Sequence, residues 1–470
     1  MTARKFGSSL VWLLLACACS MQGVCKVGDE TTCPPEAMCY GGKKAKAGDA
    51  GVCIFKPAIH RFGPLEAPHG ATLRIQGVGF GVDASKNSVT LNGVPAAILW
   101  ASETEMEVEV PKNRHSTGLV QVSVGERVAT SEEAFTYVLT ATVSTFAGST
   151  QGFEDAPKGP GTAARFNNPH GIASDTAGNL YVTDYDSHTI RKITPQGEVS
   201  TFAGNGKTSH NATDGTGEGA RFYRPHDIAL DKEGNLYVAD TWNERIRKVS
   251  SSRAVTTLAG GAQPGFVNNP PSGNVVPFAY PVGITLDANN HLYVVEINSH
   301  RIRKITQQGE VTTFAGSTAG YANGVGTAAQ FNQPHGIAVD AEGNLYVTEY
   351  AGHRIRKITP QGEVTTFAGD GWQGDVNGPR ESARFNRPEG IVVDTKTGDL
   401  YVTEESNHRI RRISPTGRVS TLAGNEINGD ADGIGGAAQF HFPRGITIDA
   451  EGNLYVADSG NHRIRKVVLE

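Results

Sequence analysis

Gly343-Asn344-Leu345-Tyr346-Val347-Thr348-Glu349, then His353-Arg354-Ile355-Arg356-Lys357-Ile358, then Val364-Thr365-Thr366-Phe367-Ala368-Gly369: these three stretches decide the fold. Each is short, rich in β-branched and aromatic residues, and bounded by turn formers, the composition of a strand between tight turns. With Pro334-His335-Gly336-Ile337-Ala338-Val339-Asp340 ahead of them they make a unit of four strands. Gly-bearing turns join the first strand to the second and the third to the fourth. The unit is written six times. Its tyrosine recurs at Tyr181, Tyr237, Tyr293, Tyr346, Tyr401 and Tyr455, at spacings of 53 to 56 residues. A period of that length marks a repeat architecture, and four-stranded units set around an axis form a β-propeller, here of six blades.

The ends of the repeat region predict how the ring closes. The sixth unit stops after its third strand, at Val467-Val468-Leu469-Glu470, whereas an orphan copy of the fourth strand, Val143 to Gly148, precedes the first unit. The N-terminal strand is expected to complete the last blade, leaving no unpaired edge between first and last. Turns also account for the glycine content, 57 of 470 residues, well above the roughly 7% of an average protein. With 43 Lys+Arg against 48 Asp+Glu the net charge is -5, which supplies no overall field for nucleic acid. Beyond the N-terminus no apolar run approaches the ~18 residues of a membrane helix.

The repeats resemble the NHL family, whose Asn-His-Arg-Ile signature stands at Asn407-His408-Arg409-Ile410 and Asn461-His462-Arg463-Ile464. Ahead of them, β-rich runs alternate with Gly, Pro and Asn turns from Pro57 to Tyr137: Ala71 to Gln76, Ser88 to Leu91, Glu105 to Val110, Leu119 to Val124 and Ala134 to Tyr137. The order Pro57-x-Ile59-x-x-Phe62-x-Pro64, Gly77-x-Gly79-Phe80-Gly81, Leu91-Asn92-Gly93 and Val108-x-Val110-Pro111 resembles an IPT/TIG domain, which implies an immunoglobulin-like spacer or adhesion module. The chain therefore reads as all-β: an immunoglobulin-like β-sandwich at 57–140, followed by a six-bladed β-propeller at 141–470 closed by an N-terminal strand.

The first 56 residues read as an export segment. Arg4 and Lys5 precede a short apolar stretch, Leu10 to Ala16, with the layout of a secretory signal over 1–16. Leu14-Leu15-Ala16-Cys17 resembles the bacterial lipobox, which makes Cys17 a lipid anchor and the only link to a membrane. Ala18 behind it, by resemblance to other lipoproteins of diderm bacteria, points to the outer membrane. All six cysteines lie between 17 and 53, the clustering of a disulfide-stapled segment at 17–56 in an oxidising space. Cys25, Cys33, Cys39 and Cys53 would form two bridges if Cys19 were the anchor; anchoring at Cys17 leaves an odd thiol. The spacings lack the paired C-x2-C knuckles of a zinc site.

Whatever repeats sixfold reads as scaffold. The acid after Tyr-Val-x (Asp184, Asp240, Glu296, Glu349, Glu404, Asp458) and the second Arg of the third strand (Arg191, Arg247, Arg303, Arg356, Arg411, Arg465) are expected to form a structural ladder. The third strands carry 17 of the 43 basic residues and read as solvated edges protected by charge. Function is expected where the units differ. Long, variable blade-to-blade loops share one face with the turn between strands two and three, and their aromatics Phe153, Tyr223, Tyr280, Tyr321 and Trp372 are candidate contacts. On that face the residue after the recurring Pro varies as His170, His226, Val282, His335, Glu389 and Arg444, a ring at the mouth of the central channel. The Pro-His starts resemble those of the lyase domain of peptidylglycine amidating enzymes, which implies His170, His226 and His335 as zinc ligands. Their uneven placement, on blades one, two and four, favours rim histidines bonded to neighbouring loops. Asn428-x-Asp430-x-Asp432-Gly433 has half of a calcium loop but Gln439 at its twelfth position, and reads as a hydrated turn.

No Ser-His-Asp order, phosphate loop or isolated acid pair stands out. The sequence thus reads as a cell-envelope binding lipoprotein for a protein or glycan ligand, without cofactor, with a metal-dependent lyase or lactonase as the competing class.

Overall fold

The computed structural model describes residues 24–26, 37–40, 50–112, 117–206, 212–261 and 278–470. Residues 1–16, Cys17, Cys19 and Cys33 lie outside them. Cys25, Cys39 and Cys53 lie on the short strands Val24–Lys26, Ala37–Tyr40 and Ala50–Phe55, whose backbones form a three-stranded sheet with Cys39 opposite Cys53. Compact units divide after Leu139: Met1–Leu139 with Glu470 is one, Thr140–Leu469 the other. Among the described residues no α-helix occurs.

In the first unit period-two alternation places Leu73 and Ile75, Met106 and Val108, and Val120 and Val122 inward, and they meet Leu91 and Phe135 in a single core. The sequence reading missed the strand Val94–Ala101. It pairs with Asn87–Leu91 on one side and Glu105–Glu109 on the other, and shifts register between Ile98 and Trp100. Adjacent Leu99 and Trp100 are both exposed, so the clean alternation that reveals a strand is absent there.

The second unit is the propeller. In the first five blades the four main strands run antiparallel in chain order from the axis outward, and in the sixth the outer strand comes from the start of the propeller. Second strands such as Leu345–Glu349 are buried at every position, because blades cover both of their faces. Third strands such as Arg354–Ile358 pair on one side with the second strand and on the other with the fourth. They are therefore interior, not the solvated edges expected from their charge, and the six second arginines are fully buried. Each neutralises the acid at the end of its second strand: Arg191 to Asp184 at 3.1 Å, Arg247 to Asp240 at 2.9 Å, Arg303 to Glu296 at 3.2 Å, Arg356 to Glu349 at 3.2 Å, Arg411 to Glu404 at 3.0 Å and Arg465 to Asp458 at 2.9 Å. The other guanidinium nitrogen reaches into the blade-to-blade loop, to Asp155, Asp214, Asn323, Asn377 and Asp432. The recurring Phe packs against the guanidinium, as Phe331 does at 5.3 Å from Arg356. In the Asn428 loop, read as a hydrated turn, Asp430 and Asp432 are exposed and pair with Arg463 and Arg465.

Neighbouring blades are stapled by histidines. His188, His300, His353, His408 and His462 have φ between 51° and 57°, and each Nδ1 accepts an amide N–H from the next blade: Arg224, Gln333, Arg387, Phe442 and Asn168, at 3.0 to 3.3 Å. Blade two has Glu244 at this position. The ring closes as the sequence predicts, for Ala141–Ala147 pairs antiparallel with Arg463–Leu469.

Candidate functional site

First strands line the axis, and five of the six begin with a Pro-x-Gly triplet. The triplet is a packing device. A Cβ on Gly336 would lie 2.2 Å from the Glu389 carbonyl oxygen, and one on Gly445 2.3 Å from that of His170, distances no side chain can occupy. The side chain before the glycine is thereby held at the channel mouth, and His170, His226, His335, Glu389 and Arg444 line one cavity there. Val282 is buried in the third blade. Blade two breaks the triplet with Asp227, which also lines the cavity. Sequence reasoning passed over Asp227, although Gly171, Gly283, Gly336, Gly390 and Gly445 occupy its position in the other five units.

The cavity has a volume of about 40 Å³, room for an ion and a water or two. His170 stacks flat on Tyr185, with centroids 4.0 Å apart and planes 6° from parallel, and stands edge-on to His226 at 4.6 Å. His226 meets His335 at 4.9 Å. Arg444 donates to Glu389 Oε1 at 2.7 Å and to Glu405 Oε1 at 2.8 Å, and the Tyr350 hydroxyl donates to Glu405 Oε2. The expectation that rim histidines bond neighbouring loops fails at His170, where neither ring nitrogen has a hydrogen-bond partner. Glu389 Oε2 is likewise unpartnered.

Loss of solvent dominates the protonation of this ring. Burial pushes His170 and His226 well below the ordinary histidine value and His335 to about 3, with Arg444 lowering all three further. Burial raises Glu389 against the pull of Arg444. Asp227 is pushed up to about 7 by burial, although it accepts the Ile284 amide at 3.0 Å. Burial also opposes the Arg444 charge, yet Glu389 and Glu405 outweigh it and hold the guanidinium above its usual value.

Around the mouth the candidate aromatics separate. Trp372 is 71% exposed and Tyr321 51%, with Arg354 over the Tyr321 ring at 4.5 Å. Tyr223 is half-buried, against expectation, because it packs on Trp242 at 5.6 Å and His188 at 5.3 Å. Trp242 was not anticipated as a contact. It is 40% exposed, its indole N–H donates to the Tyr185 hydroxyl at 3.1 Å, and Arg224 lies 5.0 Å from its ring, paired with Asp186. The signal was available, since the equivalent residues are Asp186, Asn298, Ala351, Ser406 and Gly460.

The IPT/TIG domain model matches residues 57–137, and the NHL repeat model matches 166–193, 222–249, 278–305, 331–358, 385–413 and 440–467. The chain is 28% identical over 343 residues to NHL repeat-containing protein 2 of Bos taurus, covering 64% of this chain and 46% of that one. It is 26% identical over 348 residues to Teneurin-3 of Mus musculus, covering 64% and 12%. It thus spans less than half the length of these curated relatives. Two solved Bacteroides thetaiotaomicron proteins share the fold across 88% of this chain and 98% of theirs: one of unknown function, at TM-score 0.58 and 22% identity, and an auxiliary nutrient binding protein, at 0.54 and 21%. The chain is an IPT/TIG domain followed by six NHL repeats that build one six-bladed propeller.

Proposed function

We propose that this chain is an exported binding protein, lipid-anchored through Cys17 to the bacterial cell envelope, whose propeller takes a protein or glycan ligand on the face of its long loops. One observation carries the reading. Residues that break the sixfold pattern collect on that face, as the His170 to Arg444 ring, Trp242, Tyr321 and Trp372, while tight turns such as Asp340 to Asn344 and Thr359 to Glu363 occupy the other. Selection for a scaffold alone has no reason to vary one face and keep the other. A solved protein of the same fold described as nutrient binding agrees with this reading. The small axial cavity supports a ligand that lies across the loops rather than inside the channel.

The test uses the purified full chain against a glycan array and an envelope protein fraction. Trp372→Ala and Tyr321→Ala are expected to lower capture at least tenfold, whereas Glu342→Ala and Gln361→Ala on the tight turns leave it unchanged. Equal loss from both sets of variants would remove the face assignment. For the anchor, Cys17→Ser is expected to release the protein from membranes; retention after that change moves the acyl chain to Cys19.

A further inference from the structure

We propose that the axial cavity binds one divalent transition-metal ion through His170, His226 and Glu389. One donor atom from each lies within 4.8 Å of the others. An ion held tetrahedrally at ~2.1 Å needs its donors about 3.4 Å apart, so side-chain rotations of an ångström or so complete the site.

Hydrogen bonding shows the same vacancy of partners. Both nitrogens of His170 and Glu389 Oε2 are unpartnered, in residues only 4% and 2% exposed. Buried polar groups without partners are costly, and a shared cation would engage one His170 nitrogen and Glu389 Oε2 at once. The backbones that carry two of the donors are tightly packed, since Gly171 beside His170 and Gly390 beside Glu389 leave no room for a Cβ, and His226 stands on the first strand in which Asp227 replaces that glycine. Arg444 does not repel an ion here, because Glu389 Oε1 and Glu405 Oε1 take its charge; this grip turns the free Oε2 of Glu389 into the available ligand. Asp227 adds a carboxyl on the cavity wall.

The ligand set differs from the three histidines that the Pro-His resemblance implied. His335 Nδ1 lies 3.8 Å from Glu389 Oε1, the oxygen already engaged by Arg444, and His335 stays outside the donor cluster. Two imidazoles with one carboxylate suit zinc, cobalt or nickel over magnesium or calcium. A cavity of about 40 Å³ leaves room for a water on the ion.

The full chain, stripped with chelator, is titrated with zinc, desalted and assayed for retained metal. One retained equivalent and a higher Tm are expected. His170→Ala and Glu389→Gln should lose both responses, while His335→Ala keeps the equivalent. Cobalt(II) should give d–d bands without thiolate charge-transfer absorption, which separates this site from the cysteines. No metal retained by the wild type, retention undiminished in His170→Ala, preference for magnesium or calcium, or loss in His335→Ala but not in Glu389→Gln would each overturn the assignment. Because glycan and protein capture is read on the outer loops, failure here leaves that reading standing.

Discussion

Two kinds of side chain, the buried arginines and the largely half-buried stapling histidines, govern the propeller at the residue scale. Each second arginine is paired with a buried acid, and in five of the six the outer nitrogen is seen to hold a loop, so removing one partner leaves an uncompensated charge in the core. Arg356→Met should cost roughly 3–5 kcal/mol in urea denaturation; replacing Glu349 by Leu as well should recover part of that loss, whereas additive losses would argue against pairing as the cause. The stapling histidines act through their neutral form, since Nδ1 must accept a hydrogen bond from an amide N–H. Burial holds His188, His300, His353, His408 and His462 below the ordinary histidine value. Between that depressed value and about 6.5 the unfolded chain binds more protons. The stability contributed by the staples is therefore complete above about pH 6.5 and is lost as pH falls through the folded value. Tm should drop between pH 7 and pH 5. His353→Asn keeps an acceptor, and asparagine tolerates a positive φ, but it does not titrate; its acid-induced drop should be smaller. An identical drop would clear His353 of a role.

Strands explain how much of this could be read beforehand. The four strands of each blade were legible because apolar runs between Gly-bearing turns are local features, and the closing strand because Val143 to Gly148 duplicates Val364 to Gly369. Deleting Ala141–Ala147 removes the partner of Arg463–Leu469 and the buried Val143 and Ala147. Several hydrogen bonds at ~1 kcal/mol each are lost, and Tm should fall by many degrees; an unchanged Tm would refute closure by this strand. Charge misled the reading of the third strands, because Arg-x-Arg-Lys looks solvated until the acid seven residues upstream and the loop of the same blade are placed around it. Val94–Ala101 stayed hidden because its exposed apolar face lacks alternation. The His170 to Arg444 ring was legible as variation at one repeat position, but its unpartnered nitrogens were not, since hydrogen bonding across the axis depends on side chains from different blades. Asp227 was written plainly as the exception to a five-fold glycine and went unweighed.

At the scale of the whole molecule these exceptions are not scattered. Asp227, Trp242 and Glu244 all belong to blade two, and Arg224 and Tyr223 enter it. Five junctions between blades carry a histidine staple, while the junction from blade two to blade three, where Tyr280 occupies the acceptor-facing position, carries Glu244. Burial and the nearby Glu296 raise the Glu244 carboxyl above its ordinary value, a sign that this charge is poorly accommodated there. The histidine staple is thus present where the pattern is strict and missing beside the residues that depart from it, where the Thr241 hydroxyl donates to the Pro281 carbonyl at 2.7 Å and the Ile284 amide to Asp227 at 3.0 Å across the same junction. Glu244→His should restore the sixth staple, since the backbone already has φ 53 at this residue, within the range of the other five. A neutral imidazole accepting the Tyr280 amide should add about 1 kcal/mol at pH 7.5 and slow exchange of that amide. The gain should vanish near pH 5 as the new imidazole titrates. Exchange at Tyr280 unchanged by the substitution would show that this junction is held together in some other way.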